Sequence, residues 1–209
     1  MHYEILDNKR IEILPLFKTF KDDFYLAGGT GLAMQIGHRD SIDFDFFSKS
    51  HIDTTKLFSK IKEVFIGHKI DKIQEENNTL GLIIDDEIKL SFMFYPYPLI
   101  GKSIIDENFI IASIEDIACM KLSAIVSRSV LKDYIDIYFI LKNITLRNLL
   151  DISKNKMPEL DENLILKSLV YFDDVSQEKV IFKNNMNISF DEIKVELIKI
   201  VKDLNNLIQ

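Results

Sequence analysis

Asp43 and Asp45, one phenylalanine apart in SIDFDFF (41–47), are the side chains in this sequence best placed to do chemistry together. On an extended segment, residues two apart share a face, with Cα atoms roughly 6.5 Å apart. Two carboxylates held side by side repel each other unless a cation lies between them. Mg²⁺ suits such a pair, because it takes one or two carboxylates and fills its shell with water and phosphate oxygens. The same alternation also describes an amphipathic strand with a solvated polar face. The two aspartates alone leave both readings open.

Upstream, FYLAGGTGLAMQIG (24–37) sets Gly28, Gly29 and Thr30 between a short apolar run and a helix-like segment. Glycine lets backbone approach a ligand, and a helix N-terminus offers free N–H groups to phosphate. The Thr30 hydroxyl adds a donor. A tight strand-to-helix turn explains Gly-Gly-Thr equally well. Followed by Asp-x-Asp, however, it provides a place for a triphosphate beside a place for its metal. Arg39 is read as an anchor for the aspartate loop, with a phosphate or the aspartates as its other partners. His38 reads as a turn residue, with no second His at the spacing a zinc site needs.

These residues need a frame. Residues 9–21 have helical spacing with a kink expected at Pro15. FYLA (24–27) reads as a strand, and Thr30 as the start of a short helix. Residues 42–47 form a strand whose Ile42, Phe44 and Phe46 face the core. A helix over 54–65 takes Thr54 or Thr55 as its cap. Three extended runs follow, with Asp85-Asp86 as a hairpin turn. From residue 113 the signal is helical: 113–128 with Ser113 as cap and Asp116 at N3, then 132–143, 145–156, ENLILKSLVYF, and 189–208. The expected class is α+β, with a small mixed sheet carrying helices in residues 1–110 and a helical bundle in 111–209. The connection lies between Tyr97 and Ser113.

Composition narrows the class. The chain has 209 residues, 47% apolar and 28% charged, the balance of a globular protein. One cysteine, Cys119, excludes an internal disulfide framework and a cysteine-rich metal cluster. The net charge of −7 argues against a broad electrostatic grip on nucleic acid while leaving room for a local basic patch. The N-terminus lacks a signal-peptide pattern, and no apolar run approaches the ~18 residues of a membrane span. The expected setting is cytoplasmic, with no membrane.

AGGTGLAMQIGHRDSIDFDFF (27–47) resembles the nucleotidyltransferase signature of the DNA polymerase β-like superfamily. In its His-Arg-x-Ser-x-Asp-x-Asp-Phe-Phe form it resembles the AbiEii/AbiGii-type toxins of bacterial abortive-infection and toxin–antitoxin systems. IACMKLSAIVSR (117–128) and KDYIDIYFIL (132–141) continue the resemblance, which covers roughly residues 24–142. It implies metal-dependent transfer of a nucleoside monophosphate from an NTP to an acceptor such as RNA, notably the tRNA end, and a partner antitoxin. Asp43 and Asp45 would hold Mg²⁺ (or Mn²⁺), and Gly28, Gly29, Thr30, Arg39 and Lys121 would bind the nucleotide. Asp133 would orient Lys121 or the acceptor's hydroxyl.

The residues themselves allow plainer roles. Lys121 and Arg128 share a helix face and could be surface cations; Asp133 and Asp136 share another, with Lys132 and Asp136 as a weak i,i+4 pair. FMFYPYP reads as core plus linker, with one tyrosine able to stack a base. The sequence departs from the resemblance where a neighbouring strand should supply a third carboxylate. EIKLSFMFY (87–95) offers Lys89 and Ser91 there, and a serine is no general base at neutral pH. Asp85, Asp86 or Asp133 could substitute. A catalytically silent nucleotide- or RNA-binding module, or an interaction protein that keeps the fold, are the alternatives.

Overall fold

Phe44 and Phe46 are buried on β2 (Phe44–Ser48), the middle strand of a seven-stranded mixed sheet. The structure, a computed structural model, describes residues 1–176 and 178–208. The other strands are β1 (Tyr25–Ala27), β3 (Ile70–Glu76), β4 (Thr79–Ile84), β5 (Ile88–Phe94), β6 (Ile104–Ile105) and β7 (Ile110–Ile111). Their spatial order is β3-β4-β5-β2-β1-β7-β6. β2 runs antiparallel to β1 and parallel to β5, which sets Asp45 opposite Ala27 on one side and Ser91 on the other. The chain is α+β.

The sheet is covered on both faces because its strands alternate. Leu26, Phe44, Phe46 and Phe92 pack against Phe17 and Phe20 and against α3 (Thr54–Val64) through Leu57 and Ile61. Each such side chain contributes about 1.5–3 kcal/mol by leaving water. Tyr25, Ala27 and Phe47 point the other way. They join the core of α4 (Ile114–Ser127), α5 (Leu131–Ile140), α6 (Leu146–Lys156), α7 (Glu162–Leu169) and α8 (Phe190–Ile208). Cys119 lies in that core, where burial pushes its thiol up to about 12. It is a small hydrophobe here, not a nucleophile.

Local expectations hold in part. At the N-terminus α1 (Asn8–Ile13) gives way to a 3₁₀ helix, Leu14–Phe20, with Pro15 in its first turn. Proline's missing N–H costs least there. Asp85 and Asp86 both have positive φ, 51° and 61°, at the centre of the β4–β5 turn, which the Glu87 N–H closes by donating to the Ile84 carbonyl. Ser113 caps α4 by accepting from the Asp116 N–H. Four expectations need correction. Asp53, not Thr54 or Thr55, caps α3. Ile42 and Asp43 both precede the strand, which begins at Phe44; Ile42 is 48% exposed, so Phe44 and Phe46 alone hold the register. The glycine-rich helix, α2, spans Gly28–Ile36 and starts two residues before Thr30. Finally, the 97–113 connection contains β6 and β7, and β7 pairs with β1.

A buried ion pair ties the connection after β5 to α4 and α6. Asp116 accepts from the backbone N–H groups of Ile100 and Gly101, from Ser113 and from Lys156 at 2.6 Å; Lys156 also donates to the Pro98 carbonyl. Removing one partner strands the other charge out of water. Lys156→Met should therefore cost roughly 3–5 kcal/mol, lowering Tm by about 10 °C or more, as calorimetry would read.

Candidate active site

The glycine turn lies against the aspartate strand. Gly28 has φ +62°, and a Cβ there would sit 2.6 Å from Asp45 Oδ2; one on Gly29 would sit 2.6 Å from Arg39 Nη2. Only glycine keeps the Asp45 carboxylate and the backbone this close. α2 begins at Gly28 with no side-chain cap, which leaves its first-turn N–H groups for another acceptor. The Thr30 hydroxyl is not one of the free donors expected from sequence. It is buried and donates to the Asp43 carbonyl, while the Ser41 hydroxyl lies 2.8 Å away. Thr30 thus pins the aspartate loop. Arg10, unremarked in the sequence, holds the same loop from the other side by donating to the Ile42 carbonyl at 2.7 Å.

Asp43 and Asp45 line one cleft together with Gly29, Lys121 and Asp133. Burial pushes the Asp45 carboxyl above its usual range; the Ser91 hydroxyl beside it pulls it back, and the Asp43 charge pushes it up again. Among the described residues neither aspartate forms an ion pair with a protein cation. A buried Asp45 carboxylate beside Asp43, with no protein cation paired to either, fits a divalent ion. The donor set stops at two, since no group of three or more His, Cys, Asp or Glu is gathered among the described residues. Water and substrate oxygens would complete an Mg²⁺ shell.

Behind this pair lies a buried network that sequence reasoning located only in pieces. Asp136 accepts from Arg39 Nε at 2.7 Å and Nη2 at 2.8 Å and from His38 Nε2 at 2.8 Å, and pairs with Lys121 Nζ at 2.6 Å. Asp133 takes Lys121 at 2.7 Å and Arg128 Nε at 3.0 Å. Arg39 therefore anchors the loop through Asp136 and touches neither site aspartate. His38 is a buried strut, and Lys132 pairs with Glu178, not Asp136. Lys121 is a fixed interior cation with two carboxylate partners, which raise it despite burial. The i,i+3 spacing of Asp133 and Asp136 was the available signal; that both converge on one lysine was not readable.

Asp85 and Asp86 face His68 and Lys69 and line neither part of the cleft, so they do not replace the missing third carboxylate. Ser91 stands in that place, beside Asp45. The cleft has two lobes. The first, about 280 Å³, is lined by Arg39, Lys89, Lys121, Arg128, Lys132 and Lys179 as well as the aspartates. The second, about 440 Å³, runs outward over β5 and β4 beneath α4. A roomier cavity, about 500 Å³, opens around Ser48 and Lys49, but no site residue expected from sequence lines it.

The network makes stability acid-sensitive. Burial holds His38 below its ordinary 6.5, with Arg39 and Lys121 adding to that against the Asp136 contact. Burial alone would raise Asp136, but Arg39 and Lys121 outweigh it and hold the carboxyl well below 3.8. In both cases the unfolded chain binds the proton first. Tm should be level above pH 6.5, fall as His38 is protonated in the unfolded chain, and fall further as pH drops through about 4. Melting His38→Asn across pH should remove the first decline and keep the second.

The family profile described as "Nucleotidyl transferase AbiEii toxin, Type IV TA system" matches residues 16–199. The chain belongs to this family. As an AbiEii-family nucleotidyltransferase it has a relative in Aquifex aeolicus, an uncharacterized protein 37% identical over 163 residues, 75% of this chain and 77% of that one. Its fold is shared with JHP933 from Helicobacter pylori (19% identity, TM-score 0.59, 99% of each chain). It is shared too with MenT4, a nucleotidyltransferase toxin from Mycobacterium tuberculosis (12% identity, TM-score 0.60, 92% of this chain and 82% of that one). Among the described residues, no helix of the AbiEii-family chain is long and apolar enough to cross a membrane.

Proposed function

We propose that this AbiEii-family protein transfers a nucleoside monophosphate from an NTP to an RNA acceptor such as the tRNA end, with Mg²⁺ or Mn²⁺ as cofactor. On this reading the transfer arrests growth, and a partner antitoxin restrains it. One observation carries the proposal: the cleft of Asp43 and Asp45 opens at an uncapped glycine turn and is lined by six basic side chains. Arg39, Lys121, Arg128 and Lys132 are held there by carboxylates, while Lys89 and Lys179 form no ion pair among the described residues. Polyphosphate is the ligand that such a concentration of donors fits.

The acceptor oxygen attacks the α-phosphorus while its bond to the bridging oxygen breaks, and pyrophosphate leaves with the electron pair. A divalent ion, when bound, neutralises the charge gathering on that pyrophosphate. The α2 N–H groups at Gly28 and Gly29 receive phosphate oxygens. Lys121, already fixed by Asp133 and Asp136, presents its charge without rearranging when the bond breaks. Asp45 is the one carboxylate lining both lobes, and the acceptor's proton goes there or to water.

Ser91 in the third-carboxylate place favours a second reading, a module that binds nucleotide or RNA without transfer. Total RNA, Mg²⁺ and each labelled NTP in turn separate the two. Label joined to RNA and lost with EDTA supports the enzyme. NTP binding with no label transferred supports the silent module, and no NTP binding defeats both.

A further inference from the structure

Arg128 lines both lobes of the cleft and also a third hollow, about 230 Å³, at the C-terminal ends of α4 and α7. Its side chain is 60% exposed, and Asp133 takes it through Nε at 3.0 Å. The two Nη groups form no hydrogen bond among the described residues, which leaves their donors for an outside acceptor. Arg128 follows Lys121 by seven residues, about 10 Å along α4. An NTP bound through its phosphates at Gly28 and Gly29 has no need of a hollow behind Arg128. An acceptor strand whose end meets the aspartates, however, has to leave the cleft, and Arg128 marks a way out.

The hollow suits a base better than a phosphate. Ser127, Ser129 and Ser168 supply hydroxyls, Asp174 a carboxylate, and Tyr171, 51% exposed, an aromatic ring. The main chain behind that ring is tied down: the buried Tyr134 hydroxyl is shared between the Tyr171 carbonyl at 2.8 Å and the Ser168 carbonyl at 3.1 Å. A tyrosine held in this way offers contact area at low entropic cost. Because α4 and α7 both end here, their last carbonyls add negative character to that of Asp174. Phosphate is repelled from the interior and held at Arg128. A base is neutral, has edge groups for hydroxyls and carbonyls, and stacks on an aromatic face. Its ribose hydroxyls donate to a carboxylate. The volume is below that of a whole-ligand site, as fits one base of a strand that continues into solvent.

We infer that the acceptor RNA strand leaves the cleft over Arg128, with one phosphate on the guanidinium and the adjoining base stacked on Tyr171. This rests on the RNA-acceptor reading above and adds the surface that grips the strand behind its reacting end.

The test has a binding arm and a transfer arm, both on the full chain. Labelled single-stranded RNA with a free terminal hydroxyl is titrated by fluorescence anisotropy at several salt concentrations. Tyr171→Ala should weaken binding about tenfold at every one of them. Arg128→Gln should instead flatten the slope of log K against log salt by about 0.7, the contribution of one phosphate contact on a single strand. In label transfer, Tyr171→Ala should raise the KM for RNA about tenfold at unchanged kcat and NTP KM. Tyr171→Phe keeps the ring and should behave as wild type, which separates stacking from damage to the fold. RNA affinity and KM unmoved by Tyr171→Ala, or a salt slope unmoved by Arg128→Gln, overturns this path and leaves the RNA acceptor standing. Label delivered to protein, or RNA neither bound nor labelled by wild type, overturns the acceptor reading and the path with it.

Discussion

Asp45→Asn should reduce label transfer to RNA by about a thousandfold or more and at the same time make the protein harder to melt. The two effects share one cause. The Asp45 carboxylate is packed against the glycine turn, largely desolvated and close to the Asp43 charge, so folding works against its ionisation. The amide keeps the shape and drops the charge. Relief of roughly 0.5–2 kcal/mol corresponds to a few degrees of Tm in a chain this size. Mg²⁺ should supply the same relief to the wild type, raising its Tm with concentration, and do so far less in Asp45→Asn. A variant that still transfers label, or a wild-type Tm indifferent to Mg²⁺, would remove the carboxylate pair from the centre of the reaction.

Asp136→Ala should unfold the protein more readily than any single substitution at the cleft surface. Asp136 is fully buried and is the common partner of Arg39, Lys121 and His38. Its loss leaves Arg39 without its forked partner and Lys121 with Asp133 alone. Breaking a buried pair in this way costs roughly 3–5 kcal/mol, which urea unfolding would show as a lower midpoint at unchanged slope. Arg39→Met with Asp136→Leu removes both charges and should cost less than the two single changes added together. Additive costs would mean that Arg39 and Asp136 are not coupled. At temperatures where Asp136→Ala is still folded, transfer should also fall, because Lys121 would no longer be held in one place.

Much of this site was legible in the order of residues. Gly28 and Asp45 are legible because each depends on local geometry: a positive φ that favours glycine, or a place on a strand between two core phenylalanines. The same locality explains the Ser113 cap and the Asp85-Asp86 turn. Where the reading slipped, a competing partner was nearby in space but distant in sequence. The Thr30 hydroxyl suits a phosphate on paper, yet the Asp43 carbonyl, 13 residues on, takes it first. Lys132 is well spaced to pair with Asp136, but Asp136 already has partners reaching it from residues 38, 39 and 121.

The sequence by itself determined the α+β class, the family and the pair of aspartates beside a glycine turn, because motif spacing and hydrophobic period act over a few residues. Tertiary structure alone decided that Arg39 braces the loop, that Asp136 gathers three basic side chains, that Ser91 stands beside Asp45, and that the cleft divides into two lobes. Those outcomes depend on which strands pair and which helices cover them. Pairing brings together residues tens of positions apart, and only burial then settles which of the available charges must neutralise one another.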